Sequence, residues 1–304
     1  MSEIRIPQNN YFNNDFKICI KNFYHRNIYK NQFKEINFNY LFNLPMILER
    51  NGNIKIKINE DIANYYWDRN FINQIKNRMD EILLKFDGYD KVEISLNCPW
   101  RLVIGLGASH PQETSMTLHH IYGIPYIPSS AIKGVTRHWV VLKFADENRD
   151  FIIKEIKEKE NNNNPDFNDV LKKVSNALEK GDDLNISISI NNNNITFKEL
   201  IDIFGTQNQK GKVIFFDAYP MENINLKIDI MNPHYPDYYG GKEPPTDWQN
   251  PLPIKFLTVE NTKFQFYLAS KESTLLAKAK ELLLDALKNY GIGAKTSLGY
   301  GIFN

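Results

Sequence analysis

The sequence contains little cysteine, little excess charge and no long apolar run. Its 304 residues include only Cys19 and Cys98, which are too few for a disulfide framework or a cysteine-rich zinc site and fit a reducing compartment. The formal net charge of +1 excludes a strongly basic protein, so any nucleic-acid contact must come from a local patch. Neither a signal peptide nor a membrane-spanning segment is indicated. We therefore expect a cytoplasmic protein with no membrane partner.

The segment that ends the sequence is rich in glycine. Four glycines surround a Lys-Thr-Ser core there, namely Gly291, Gly293, Gly299 and Gly301 around Lys295, Thr296 and Ser297. Because glycine adopts positive φ and has no Cβ, such a loop can direct consecutive N–H groups at a phosphate, with Lys295 supplying charge. The spacing fits neither the Walker loop nor the dinucleotide fingerprint. A loop that uses its glycines only to turn tightly is the alternative.

Three segments lie outside the main pattern of the sequence. Apolar spacing predicts a helix over about 61–86, and so a helical N-terminal extension, residues 1–90, that packs on the core. Asparagine tracts bracket a charged helix at 166–180 and predict an insertion over 146–198 with surface loops. The abundance of Pro, Gly, Tyr and Asn over 221–253 predicts a long irregular excursion.

Residues 91–304 contain six regular segments whose order indicates the fold class. Apolar patterns predict strand, helix, strand, strand, helix and strand at about 92–104 (interrupted at Pro99), 128–144 (with Ser129 or Ser130 as N-cap), 212–219, 262–268, 273–289 and 298–303. This βαββαβ order is the ferredoxin-like split motif, an α+β fold with two helices on one face of a four-stranded antiparallel sheet, as in RRM-like domains. Many unrelated functions share this fold.

Several motifs of this domain occur in an order that is typical of one superfamily. They are Gly105-Leu-Gly107 with His110-Pro-Gln-Glu-Thr, the run from Thr117 to Arg137, Ile203-Phe-Gly205, the strand ending on Asp217, and the glycine loop. Together they resemble the RAMP superfamily of CRISPR-associated proteins. The Leu-His-His form of the central motif and the later Pro251-Leu-Pro-Ile-Lys-Phe-Leu257 are similar to the sixth-subunit family of type III-B (Cmr) effectors. The resemblance covers roughly residues 100–140 and 200–304.

The resemblance implies a RAMP ferredoxin-like domain with a non-catalytic structural role in antiviral defence. Relatives of this kind bind the 3′ part of a guide RNA and cap the backbone filament of the RNA-guided effector, in which target cleavage belongs to the repeating subunit. The implied partners are the guide (CRISPR) RNA, the target RNA and other Cmr subunits, especially the repeating backbone RAMP subunit and the first Cmr subunit. Protein holds the RNA backbone in such assemblies while base pairing reads sequence. No catalytic residue, cofactor or metal is implied for this chain.

Candidate RNA-binding residues follow from the chemistry of single strands. Such RNA is held by cations and backbone N–H groups at its phosphates and by aromatic side chains at its bases. Besides the glycine loop, Lys133 and Arg137 are candidate phosphate ligands, because they lie four residues apart on one helix face. Tyr235, Tyr238 and Tyr239 are candidate base wedges in a thumb-like part of the 221–253 excursion. Packing of these tyrosines on a neighbouring subunit is an equal alternative by composition.

Three histidines, His110, His119 and His120, precede the central helix, with Glu113 among them. They match no helical metal-ligand pattern, and adjacent His119 and His120 point opposite ways in an extended segment, so we predict no metal site. We interpret the segment as a structural loop that brings His119 and His120 to RNA. The alternatives are an endoribonuclease using loop histidines as general acid and base, and a protein-only scaffold whose glycine loop docks a neighbour's carboxylate. Asp217 is expected to anchor a turn rather than bind magnesium.

Overall fold

The computed structural model describes most of the chain. It covers residues 37–43, 46–50, 53–57, 60–108, 110, 114–159, 164–191, 193–233, 235–246, 251 and 253–304. Cys19, Glu113, most of the Asn161–Asn164 tract and the first 36 residues of the predicted N-terminal extension lie outside these ranges. No helix within them combines the length and apolar character needed to cross a membrane.

Helices and strands are distributed along all of these ranges. The helices are α1 (Phe38–Asn43), α2 (Arg69–Leu84), α3 (Ser129–Glu147), α4 (Arg149–Lys159), α5 (Phe167–Lys180), α6 (Phe197–Phe204), α7 (Pro236–Tyr239) and α8 (Ser273–Asn289). The strands are β1 (Met46–Arg50), β2 (Asn53–Lys57), β3 (Asp90–Leu102), β4 (Ser187–Ile190), β5 (Asn193–Thr196), β6 (Val213–Phe215), β7 (Tyr219–Pro220), β8 (Asn225–Met231) and β9 (Ile254–Ser270). Short 3₁₀ helices occupy Glu60–Asn64 and Thr296–Leu298. The predicted helix at 61–86 is thus divided, because Asp68 caps a new helix start at Arg69.

The central strand of the main sheet is β9, which is 17 residues long. β3 pairs with one of its edges, and β6, β7 and β8 pair in succession with the other, all antiparallel. α3 connects the first edge to the second by way of the insertion, and α8 follows β9. The predicted ferredoxin-like α+β fold is therefore confirmed.

Pro99 does not interrupt the first strand. β3 is continuous from Asp90 to Leu102, and its register against β9 shifts between Cys98 and Arg101. Residues in a bulge leave the hydrogen-bonded ladder, so a proline without an N–H group is tolerated there. The predicted break at Pro99 is a bulge.

Two predictions at the C-terminal half are wrong. The excursion over 221–253 is not one irregular loop, because β8 pairs with β9 and its buried Leu226 alternates with polar neighbours. The final strand over 298–303 is absent from this described segment, because Gly299 and Gly301 have φ of 92° and 66°. The tail still occupies the fourth strand's place, since Asn97 and Asn304 exchange two backbone hydrogen bonds of 3.0 Å beside β3.

Helices cover both faces of the sheet. On one face, Phe264 and Phe266 contact the ring of Phe303, whose N–H donates to Leu287 of α8. Residues at alternating positions face the other side. There, burial together with the charge of Asp80 in α2 raises the pKa of Tyr267. α2 buries one apolar stripe on this face, formed by Ile72, Ile75, Met79 and Leu83.

The predicted insertion over 146–198 packs into the core together with the helix that follows it. α4, α5, the β4–β5 hairpin and α6 contribute buried side chains to the main hydrophobic cluster, among them Ile152, Ile156, Val170, Val174, Leu178, Ile188 and Ile195. A capping box of Thr196 and Glu199 starts α6. Glu199 also accepts a 2.6 Å hydrogen bond from Lys278 of α8. The predicted insertion is therefore part of the hydrophobic core and does not consist of surface loops alone.

The N-terminus of α3 is capped from another part of the chain. Pro128 occupies the N-cap position and has no side-chain acceptor, so the predicted cap by Ser129 or Ser130 is wrong. Instead, Asp217 Oδ1 accepts a 2.6 Å hydrogen bond from the Ser129 N–H. A carboxylate is favourable at a helix N-terminus. Asp217 therefore anchors the turn after β6 to α3.

Candidate nucleic-acid interface

The glycine loop, the end of β8 and the start of β9 meet at one end of the sheet. Val103, Phe256 and Tyr300 form a small hydrophobic cluster there, and Met231 and Ala294 pack against it. We define the glycine-loop site as two rings of this cluster together with four neighbouring side chains. Its residues are Trp100, Arg101, Asp229, Phe256, Lys295 and Tyr300.

Two glycines let the loop approach β3 and itself very closely. A Cβ on Gly293 would lie 2.4 Å from the Val103 carbonyl oxygen, and one on Gly301 would lie 1.9 Å from the Ile292 carbonyl oxygen. Both glycines also have positive φ, 99° and 66°. Any side chain at these positions would force the loop away from β3.

Backbone N–H groups of the loop are used within the protein. Ala294 donates to Val103 at 2.9 Å, Gly301 to Arg101 at 2.7 Å, and Ile292 to Gly301 at 2.9 Å. A hydrogen atom that is already donated cannot also converge on a phosphate. The predicted cradle of consecutive N–H groups is therefore wrong at these positions, and the glycines serve close docking on β3.

Lys295 extends over aromatic rings at the outer side of the loop. Its backbone is left-handed, with φ of 63°, and its Nζ lies 4.9 Å from the Phe256 ring centroid and 5.9 Å from that of Tyr300. A cation over a ring face is attracted by the ring quadrupole. The next turn is more open, with Thr296 partly exposed, Ser297 exposed and Leu298 62% exposed. RNA contact by these residues stays a prediction.

A shared carboxylate ties the loop to the sheet. Asp229 of β8 accepts hydrogen bonds from both Arg101 of β3 and the Tyr300 hydroxyl. Burial opposes ionisation of Asp229, but the hydrogen bonds from Tyr300, the Ile230 N–H and Arg101 outweigh it and lower the pKa of the carboxyl. Burial and the Asp229 charge raise the pKa of Tyr300. The phenol stays protonated as a donor, which holds the loop in place.

Trp100 adds an aromatic surface that the sequence patterns did not indicate. Its side chain is 44% exposed, its ring centroid lies 4.7 Å from that of Tyr300, and the Arg101 Cζ lies 5.7 Å from the Trp100 centroid. The only sequence signal was a tryptophan directly after Pro99 in a strand. An exposed indole beside cations is typical of stacking sites for unpaired bases.

The three predicted tyrosine wedges follow β8 at the same end of the sheet. Tyr238 and Tyr239 are 50% and 68% exposed and lie with their ring centroids 5.7 Å apart. Tyr235 is partly buried, and its carbonyl accepts from the Tyr239 N–H at 3.0 Å in α7. Two of the three rings are therefore open to a base or to a neighbouring protein.

Lys133 and Arg137 interact with groups other than the glycine-loop site. Arg137 forms a 3.3 Å ion pair with Glu179 of α5, and burial with the charges of Arg137 and Lys210 lowers the pKa of Lys133. Lys210 precedes β6, which pairs with the end of β9, whereas Lys295 lies over the beginning of β9. The structure does not bring the two predicted phosphate-binding groups together.

His119 and His120 stack on each other. Their ring centroids are 5.1 Å apart with an interplanar angle of 13°, so the prediction that they point opposite ways is wrong. His119 Nδ1 accepts hydrogen bonds from the Ile121 and Tyr122 N–H groups, both 3.3 Å, which bend the segment into a turn. Burial and the neighbouring His120 lower the pKa of His119. The neutral ring also stacks on Tyr122 at 4.2 Å.

His110 lies apart from this pair. Its ring stacks on Phe42 with centroids 4.5 Å apart, and its Nε2 lies 3.2 Å from Asn43 Oδ1. Burial lowers the pKa of His110. In the described ranges, no group of three or more His, Cys, Asp and Glu residues is arranged to hold a metal ion.

Comparison with known proteins yields relatives of one kind. A curated protein from Pyrococcus furiosus, CRISPR system Cmr subunit Cmr6, is 40% identical over 236 residues, which are 66% of this chain and 64% of that protein. CRISPR system CMR subunit Cmr6 from Saccharolobus solfataricus is 23% identical over 239 residues, 76% of this chain and 64% of that protein. The match thus spans 64% of the length of each curated relative.

A solved structure and a family model agree on the fold. A chain in the cryo-EM structure of the type III-B Cmr-beta bound to cognate target RNA has a TM-score of 0.51 at 19% identity, covering 94% of this chain and 86% of that chain. The model of the RAMP superfamily matches residues 95–304, which include β3 from Ser95 onward, β9 and the glycine loop. The chain belongs to the RAMP superfamily.

Proposed function

We propose that the protein is a non-catalytic structural subunit of a type III-B CRISPR RNA-guided effector in the cytoplasm. In this role it binds the 3′ part of the guide RNA and caps the backbone filament, next to the repeating RAMP subunit and the first Cmr subunit. The observation that carries the proposal is the 40% identity to the Cmr subunit of Pyrococcus furiosus. The match spans 64% of the Pyrococcus furiosus protein. The partners named here for this chain are therefore part of the proposal.

The glycine-loop site supports RNA as the ligand. It places the Lys295 ammonium, the exposed Trp100 indole and the nearby tyrosines of α7 at one end of the sheet. Phosphate neutralisation and base stacking are the two contacts that hold single-stranded RNA. With a net charge of +1, the protein has little long-range attraction for RNA, so such a site works best inside an assembly that already holds the strand.

The histidine, aspartate and cysteine that are chemically suited to catalysis have structural tasks. His119 uses its Nδ1 lone pair for two backbone N–H groups, and Asp217 uses an oxygen to cap α3. Burial raises the pKa of the Cys98 thiol to about 12, which prevents it from acting as a thiolate nucleophile. Cleavage of RNA by general acid and base needs two groups that are free to exchange protons with the substrate.

The experiment is to purify a tagged copy gently from its native cells, sequence the RNA that accompanies it and identify the accompanying proteins. We expect short RNAs with a shared constant 5′ tag, together with several RAMP proteins. Lys295→Ala should reduce the RNA retained, whereas Lys288→Ala, an equal charge loss at an exposed position in the last turn of α8, should not.

Two results would contradict the proposal in different ways. Accompanying proteins without RNA would favour the protein-only scaffold. A protein that purifies alone would remove the effector assignment, and RNA cleavage by it that is lost in His119→Ala or His120→Ala would then establish the endoribonuclease.

A further inference from the structure

A polar cleft of about 560 Å³ is lined by other residues than the glycine-loop site. We name it the Asn cleft after the residues that line it, Arg69, Asn97, Asn223, Asn225, Asn261 and Lys263. Glu222 also lines the cleft, and all of these lining residues, taken from the described part of the chain, are polar or charged. Its volume lies in the range of small-molecule sites, but its walls do not suit an apolar ligand.

The cleft lies on the sheet face that α2 covers only in part. Asn97 of β3 is directly opposite Lys263 of β9, and Lys263 alternates with buried Phe264, which faces α8. Arg69 is the first residue of α2. The cleft is therefore the open continuation of the face on which α2 packs, and that face carries bound bases in RRM-like sheets.

The backbone of β9 is distorted at the floor of the cleft. Asn261 has a left-handed φ of 41°, although it lies inside a strand. Asn97 Nδ2 donates to Asn261 Oδ1 at 3.3 Å, and Asn225 Nδ2 donates to the Asn261 carbonyl at 3.4 Å. Strained backbone that is held by its surroundings clusters at binding sites. Each of these amides has further donor or acceptor capacity that a ligand can use.

The charges of the cleft suit a single phosphate. Arg69 and Lys263 are exposed, and neither takes part in an ion pair with a carboxylate of the described residues. Glu222 offsets one of these two cations, which leaves one positive charge in excess. A carboxylate can accept a hydrogen bond from a ribose hydroxyl or a base amino group.

We propose that the Asn cleft binds one unpaired ribonucleotide of an RNA strand. Arg69 and Lys263 hold its phosphate, and the asparagine amides with Glu222 bond its ribose and base. A bare anion would need the cations alone, whereas mixed donors and acceptors match a nucleoside. The proposal deepens the proposed function, because it rests on RNA as the ligand and adds a second contact point to the glycine-loop site.

The first test measures binding of a fluorescein-labelled ten-nucleotide single-stranded RNA to the full chain by anisotropy. We expect Arg69→Gln and Lys263→Gln each to weaken binding about fivefold and to lower the salt dependence by about one ion. Lys91→Gln is the matched control, since it removes an exposed charge from β3 at the other end of the sheet. Its affinity should equal that of the wild type, and circular dichroism should show all variants folded.

The second test removes an amide without adding strain. Asn261→Gly retains a residue that adopts φ of 41° easily, so a loss of affinity at unchanged melting temperature reports the missing amide. Affinity equal to that of the wild type in both charge variants overturns the proposal. So does equally tight binding of 5′-AMP or 5′-UMP, because the ligand would then be a free nucleotide.

Co-purification from cells separates the two proposals. If Arg69→Gln retains its partner proteins but binds the test RNA more weakly, the result supports both the proposed function and the Asn cleft proposal. If the wild type assembles with no RNA in cells while the charge variants still weaken binding of the test RNA, only the proposed function fails. If the assembly and its guide RNA are intact while the charge variants bind the test RNA normally, only the Asn cleft proposal fails.

Discussion

Replacement of Gly301 by alanine tests whether close docking of the glycine loop stabilises the protein. Gly301 has φ of 66°, and a Cβ there would lie 1.9 Å from the Ile292 carbonyl oxygen. Left-handed backbone costs an L-residue about 1–2 kcal/mol. Relief of the contact also breaks the hydrogen bonds from Ile292 to Gly301 and from Gly301 to Arg101, at about 1 kcal/mol each. We expect the free energy of unfolding to fall by about 3–4 kcal/mol and the melting temperature by roughly 6–8 °C.

Gly107→Ala is the matched control for this substitution. Gly107 lies in the turn region after β3, without positive φ, and no atom lies within 4 Å of a Cβ built on it. Its replacement should leave stability unchanged or raise it by up to about 1 kcal/mol, because alanine lowers the entropy of the unfolded chain. Urea denaturation of both variants, followed by circular dichroism, measures the difference. Stabilities equal within about 0.5 kcal/mol would refute the docking argument.

Two further predictions concern side chains near the sheet ends. Tyr300→Phe removes a hydrogen bond to Asp229 and should cost about 1–2 kcal/mol in a urea titration. The control is Tyr290→Phe, whose ring packs on His138 and Trp139 and whose loss of the hydroxyl should change stability by less than about 0.5 kcal/mol. Equal losses in the two variants would contradict the assigned bond. Because burial and His120 lower the pKa of His119 in the folded protein, its stabilising effect is present above about pH 6.5 and is lost as the pH falls below its folded pKa. His119→Gln should therefore flatten the fall in urea midpoint between pH 7.5 and 5, and an undiminished fall would oppose this.

Local signals predicted β3, β6, part of β9 and the helices α3 and α8, but they missed β8 and placed a strand over 298–303 that the structure does not form. The helix predicted at 273–289 coincides with α8, because its apolar spacing, its start and its end are all set within the segment. The order of strands and helices sufficed for the fold class, since few topologies suit βαββαβ. Asp217 was expected to anchor a turn. Its partner at the start of α3, Ser129, is 88 residues away in sequence, so no local pattern could indicate it.

Features assembled from distant segments could not be predicted. The glycine loop reads as a phosphate loop in isolation, and only its contact with β3 shows that its N–H groups are already used. The Asn cleft draws on α2, β3, β8 with the connection before it, and β9. Asparagine is common in turns and at surfaces, so the local sequence does not mark the asparagines of the cleft as binding residues. Trp100 depends likewise on the bulge that turns it toward Tyr300.

The pairing of four strands with β9 affects how the chain is made. β3, β6, β7 and β8 all pair with β9, and the bonded residues Ser95 and Gln265 are 170 positions apart in sequence. A ribosome that adds about 5–20 residues per second needs roughly 10–35 s for this interval. During that time β3 lacks its partner and presents edges that can pair wrongly, and β6, β7 and β8 join it in this state near the end of the interval. Folding of the sheet therefore comes late in translation, and a ribosome that stalls before residue 254 releases a chain dependent on chaperones.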